Sequence, residues 1–162
     1  MGNAHPNLAP YQPFPCTDGM VVIAVGNDGQ FRSLCTALGE PDLGTDERFA
    51  ANAGRVANRD QLGPILSALT GPLTMAALMK RLQDAGVPCG PVNTVDQVFA
   101  EPQAVARDLT VEQTRHDLNA PVRTVASPIR MNGAPAVADR PPPALGQHTD
   151  EVLARYRGQE PG

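Results

Sequence analysis

The 162 residues contain no tryptophan, only four phenylalanines and two tyrosines. A core this poor in aromatics must be aliphatic and modest in size. Clusters of positive charge are missing too. Thirteen lysines and arginines face seventeen acidic residues, the net charge is −4, and the pI is near 5.3. Without a cationic patch to meet phosphates, no nucleic-acid partner is expected. No apolar run reaches bilayer-spanning length, and the first residues lack the charged-then-apolar layout of a secretory signal. The expectation is therefore no membrane partner and a cytoplasmic location.

Other patterns that carry chemistry are absent as well. Cys16, Cys35 and Cys89 are odd in number, far apart and free of C-x-x-C spacing, which points to neither a disulfide framework nor a zinc site. His5, His116 and His148 are isolated, so no metal is expected. The elbow around a nucleophilic serine is missing, and Ser33 and Ser67 fall inside predicted helices. "GNDGQF" stands between a predicted strand and a predicted helix, yet matches neither a dinucleotide fingerprint nor a P-loop. That helix start is either an ordinary cap or an end able to take an anion.

Proline (17) and glycine (15) are plentiful, which predicts short elements and stiff turns. Residues 1–19, broken by Pro6, Pro10, Pro13 and Pro15, read as an extended, loop-like lead-in ending at an Asp18-Gly19 turn. His5, Asn7 and Tyr11 lie close together in it and are candidates for ligand contact, since functional side chains gather on loops held by a scaffold. "MVVIAVG" predicts a strand buried on both faces. A helix capped by Asn27 or Asp28 follows, with Phe31, Leu34, Cys35 and Leu38 on one face and Gly39 at its end. Between Thr45 and Leu69 the spacing predicts two helical stretches, with Phe49 in the first and Leu62, Ile65, Leu66 and Leu69 in the second. Thr74 caps a further helix with Leu78 and Leu82 inward and Met75 and Met79 as packing residues. "AGVPCGPVN" reads as a connector after Gly86. Thr94 and Gln97 have capping-box spacing, Pro102 breaks that run, and "PQAVARD" adds another helical turn or two. "LTVEQ", "PVRTVASPIRM" and "APAVA" predict a small antiparallel sheet, "RPPPALGQ" an extended connector, and Thr149 the cap of a final helix. The last six residues read as frayed. The order of elements indicates an α+β fold.

Five stretches in register carry a resemblance: "GNAHPNLAPYQPFPCTDGMVVIAVGNDGQF", "RFAANAGRVANRDQL", "AGVPCGPVNTVDQVFAEPQ", "SPIRMNGAP" and "PPALGQHTDEVL". Together they resemble the C-terminal part of family III CoA-transferases, the group that includes formyl-CoA transferase, carnitine CoA-transferases and α-methylacyl-CoA racemase. The resemblance implies the family's small domain, with several helices and a small, mostly antiparallel sheet. Its divisions would be 1–19 as lead-in, 20–138 as small domain, and 139–162 as a connector and helix returning to a large domain. It also implies an interlocked homodimer, acyl-CoA and a carboxylic acid acceptor as substrates, and no tightly bound cofactor beyond coenzyme A as substrate. In the transferases an aspartate attacks the acyl-CoA thioester, giving a mixed anhydride and then an enzyme-bound CoA thioester whose CoA passes to the acceptor. That aspartate belongs to the family's N-terminal half. Asp18 and Asp28 already hold a turn and a helix start, so no catalytic residue is assigned here and the chain alone is expected to be inactive. His5, Asn7, Tyr11 and Gln12 are the residues the resemblance places near substrate.

In the racemase branch an acidic residue follows the aromatic of this segment. Here Gln12 follows Tyr11 and cannot serve as a base, which favours the transferase branch. Two alternatives stay open beside it: a racemase-like enzyme, and a freestanding binding module of the same ancestry. A small domain without its large one would expose apolar faces and associate.

Overall fold

The computed structural model describes residues 2–115, 117–136 and 140–158. His116, the end of the third β-prone piece and most of the last six residues, expected to fray, lie outside them. The chain forms two compact units divided between Asn93 and Thr94.

In the first unit the lead-in is more than a loop. Tyr11–Cys16 forms strand β1, paired antiparallel with β2, Gly19–Ala24, through a tight turn at Thr17 and Asp18. The prolines are compatible with this because β1 is an edge strand in the order β1-β2-β3. Pro13 and Pro15 are two residues apart and so share one orientation, which lets both missing N–H groups face away from β2. β2 alternates, with Val21 and Ile23 fully buried and Val22 and Ala24 only partly so, rather than being buried on both faces. The connector reading of "AGVPCGPVN" also needs correcting. Gly86, at φ +69°, ends the preceding helix as expected, but Cys89–Pro91 forms β3 and closes the sheet against Val21, Val22 and Ile23.

Four α-helices accompany the sheet. Helix α1, Asp28–Ala37, is capped by Asn27, whose Oδ1 accepts from the backbone N–H of Gln30 at 2.9 Å. Helices α2, Asn52–Ala57, and α3, Arg59–Thr70, follow, but Phe49 precedes α2 in a turn rather than lying in a helix. Helix α4, Met75–Asp84, has a double cap: Thr74 accepts from Ala77, and the Asp18 carboxylate from the hairpin turn accepts from Met75 N–H at 2.7 Å. Phe14, Val21, Ile23, Phe31, Leu34, Cys35, Phe49, Leu62, Leu66, Leu78 and Leu82 form one core, against which Met75 and Met79 pack. Each large side chain moved there from water contributes about 1.5–3 kcal/mol.

The second unit is built of shorter pieces. Helix α5, Val95–Ala100, opens with the expected Thr94/Gln97 capping box, and Pro102 begins α6, Pro102–Ala106, at a position where its missing N–H costs nothing. The β-prone residues form two separate two-stranded ladders instead of one sheet: β4, Thr110–Gln113, with β5, Val122–Val125, and β6, Arg130–Met131, with β7, Ala134–Pro135. Helix α7, Thr149–Tyr156, starts one residue earlier in its cap than expected. His148 is the N-cap and Thr149 the first helical residue. The mixed helices and small antiparallel sheets agree with the expected α+β class.

Candidate functional site

The site is built around residues 5–12, and the first unit supplies an unusual frame for them. Every backbone carbonyl from His5 to Ala9 accepts a hydrogen bond from a side chain of α2 or α3. Arg59 donates through Nη1 to His5 O at 2.8 Å and through Nη2 to Pro6 O at 3.2 Å and Leu8 O at 3.5 Å. Asn52 donates to Asn7 O at 2.9 Å and accepts from Ala9 N–H at 3.2 Å. Arg55 Nε donates to Ala9 O at 2.6 Å.

Arg55 itself is fully buried. A guanidinium is tolerated there only if its donors are met. Its Nη1 reaches the carbonyls of Phe49 (2.9 Å) and Ala50 (3.2 Å), its Nη2 the Asp28 carboxylate (2.8 Å), and its plane stacks over Phe31 at 4.5 Å. The hydrogen bond from Arg55 holds the Asp28 carboxyl below the usual carboxylate range. Asp28 is therefore an ion-pair partner inside the frame, while Asn27 does the capping. Gly54 lets this arrangement form: a Cβ there would stand 2.6 Å from the Arg48 carbonyl oxygen.

Held in this way, the lead-in brings three of the four expected residues together. His5 Nδ1 accepts from the backbone N–H groups of Asn7 and Leu8 at 3.1 Å each, and His5 N–H donates to Tyr11 O at 2.9 Å. The His5 and Tyr11 rings stack with centroids 5.2 Å apart and planes 13° from parallel. Gln12 stands apart from this group. It lines a neighbouring cavity of about 250 Å³ with Asn3, Ala4, Pro13 and Met20. Ala9-Pro10 is a cis peptide.

The cysteines offer no nucleophile. Burial raises the thiol pKa of all three, that of Cys35 to about 11. Among the described residues no three His, Cys, Asp or Glu side chains converge as metal ligands, and no single helix is long and apolar enough to cross a membrane. What sequence reasoning missed is the frame: Asn52, Arg55 and Arg59. Their only signal was the "NAGRVANR" spacing, because their partners are carbonyls 45 to 54 residues away.

Comparison with known proteins adds a second line of observation. The profile of CoA-transferase family III matches residues 1–149. The succinate–glutarate CoA-transferase of Agrobacterium fabrum is 42% identical over 154 residues, which cover 95% of this chain and 38% of that protein. The human succinyl-CoA:glutarate CoA-transferase is 35% identical over 94% of this chain and 34% of its own length. Among solved structures, a CaiB/BaiF family protein from Brucella suis superposes with a TM-score of 0.83 at 43% identity, covering 96% of this chain and 39% of that one. The chain thus spans between a third and two-fifths of the length of these three relatives.

Proposed function

We propose, from the premise that this chain belongs to CoA-transferase family III, that it is the small-domain portion of an enzyme moving CoA between an acyl-CoA and a short dicarboxylic acid. The observation that carries the reading is the family match over residues 1–149, within which the pinned loop of residues 5–9 lies. The names of the Agrobacterium and human relatives suggest succinate and glutarate as the acids. Both names describe transferases, which, with Gln12, supports transfer over racemisation.

In this reading the covalent nucleophile is an aspartate of the large domain. Its carboxylate attacks the thioester carbonyl and releases the CoA thiolate, which then attacks the resulting anhydride at the aspartyl carbon and frees the first acid. The acceptor carboxylate next attacks the aspartyl-CoA thioester, and the sequence runs in reverse. His5, Asn7, Tyr11 and Gln12 lie against the acyl group from the opposite side. Residues 1–19 serve as the lead-in and contribute β1, 20–138 are the small domain, and 139–162 return to the large domain. Coenzyme A is a substrate and the complete enzyme an interlocked homodimer. The exposed apolar face of α7, with Val152, Leu153 and Tyr156, supports such a docking role.

A chimera tests this. The matched 154 residues of the Agrobacterium fabrum enzyme are replaced by this chain, and CoA transfer from succinyl-CoA to glutarate is followed. The chimera should turn over and the isolated chain should not. Turnover by the isolated chain, or a folded chimera inactive with every short dicarboxylate, would overturn the proposal.

A further inference from the structure

The lead-in holds the His5 ring by one nitrogen and leaves the other without a protein partner among the described residues. The carbonyls of residues 5–9 are all held, as described, and the Pro10 carbonyl accepts from Val25 N–H at 3.0 Å. The His5 ring has one nitrogen, Nδ1, that accepts two backbone N–H bonds. A nitrogen that accepts must keep its lone pair, so the single proton of the neutral ring sits on Nε2. Nε2 has no hydrogen-bond partner among the described residues. Turning the ring over would break both bonds to Nδ1, and the stack on Tyr11 resists smaller rotations of its plane.

We infer that His5 is a fixed, neutral hydrogen-bond donor, its Nε2–H aimed at a carboxyl-derived oxygen of the substrate, and that Arg59 is the positioning residue that holds it there. The inference rests on the function proposed above for the identity of that oxygen: the acyl carbonyl, on which negative charge develops when the thioester or anhydride is attacked. A donor already in place for that charge stabilises the transition state more than the ground state. His5 takes up no proton in this role and breaks no bond. Arg59 acts only through the loop. Its fork joins the carbonyls on both sides of the turn that Nδ1 closes, so its loss frees the backbone that aims the ring, while the buried Arg55 keeps the core intact.

Two measurements test this. The first is nitrogen-15 NMR of the 162-residue chain at neutral pH, which reads the His5 tautomer without any reaction. The native chain should carry its proton on Nε2 with Nδ1 bare, whereas Arg59→Ala should move both nitrogens toward tautomer-averaged shifts. A proton resident on Nδ1, or shifts unchanged in Arg59→Ala, would overturn the inference. The second is the chimera. His5→Ala should lower kcat/KM about 100-fold, mostly in kcat, the size seen when one oxyanion donor is removed. His5→Gln, whose amide N–H reaches close to the place of Nε2–H, should recover about tenfold of that. Arg59→Ala should lose about tenfold through misplacement, and added guanidinium ion should restore part of it, as it would not for a misfolded variant. Full activity in His5→Ala would remove His5 from the chemistry. An inactive native chimera would count against the reaction assigned above, while the nitrogen shifts judge His5 independently.

Discussion

The two units differ in what holds them together. Between residues 2 and 93 a single aliphatic and phenylalanine core joins the three-stranded sheet to α1, α3 and α4, and a buried arginine of α2 ties the lead-in to it. Among the described residues between 94 and 158 the buried apolar ones are two alanines, Ala104 and Ala126. Val95, Val105, Val125, Ile129 and Met131 are each more than 60% exposed there, as is Tyr156 on α7. The first unit has a core of its own, and the second is a set of short elements whose larger apolar side chains are exposed. The lesson is that one chain can pin a polar loop firmly in one unit and leave apolar side chains uncovered in the other.

The largest effect should come from Arg55. Arg55→Met leaves the carbonyls of Ala9, Phe49 and Ala50 without their donor, a loss of about 3–5 kcal/mol in all, and frees the half-exposed Asp28 carboxylate. Urea denaturation followed by circular dichroism would check it, and a loss below about 1 kcal/mol would mean that the frame is dispensable. Leu66→Ala, in the same core, should cost about 2–5 kcal/mol, whereas Val125→Thr in the second unit should stay within about 0.5 kcal/mol. Equal losses at the two sites would erase the contrast between the units.

A smaller loss is expected at Gly54, where alanine forces the Arg48 carbonyl to move. About 1–3 kcal/mol is the usual cost of such overpacking. The smallest effect is one of pH. The Asp28 carboxyl titrates lower in the folded chain than its ordinary value of 3.8, so its contribution is complete above that value and fades as pH falls through the folded one. The stability gap between the native chain and Asp28→Asn should therefore be widest near neutrality and close on acidification. A gap that is constant down to strongly acid pH would contradict the ion pair.

Much of the first unit was legible because its signals are local. The Phe31-Leu34-Cys35-Leu38 stripe, the Thr74 cap and the glycine stops at Gly39 and Gly86 depend on residues within a few positions of one another. β1 was hidden by its prolines, which an edge strand accommodates, and β3 by its length of three residues. The Asn132-Gly133 turn joining β6 to β7, with φ of +51° and +84°, carries a hairpin signal that went unused. The grouping of His5, Asn7 and Tyr11 was legible because they are neighbours in sequence. Asn52, Arg55 and Arg59 were not, because a guanidinium bound to backbone carbonyls leaves no complementary residue type to pair with it.

Hydrogen exchange measured on the isolated chain and again within the chimera tests the central claim most directly. The account predicts that the amides of β1, β2 and Ala9 are protected equally in both, while α7 and the β4–β5 ladder gain protection only when the large domain is present. Unchanged exchange throughout residues 94–158 would contradict it, because those apolar faces would then have no partner in the enzyme to which the chain is assigned.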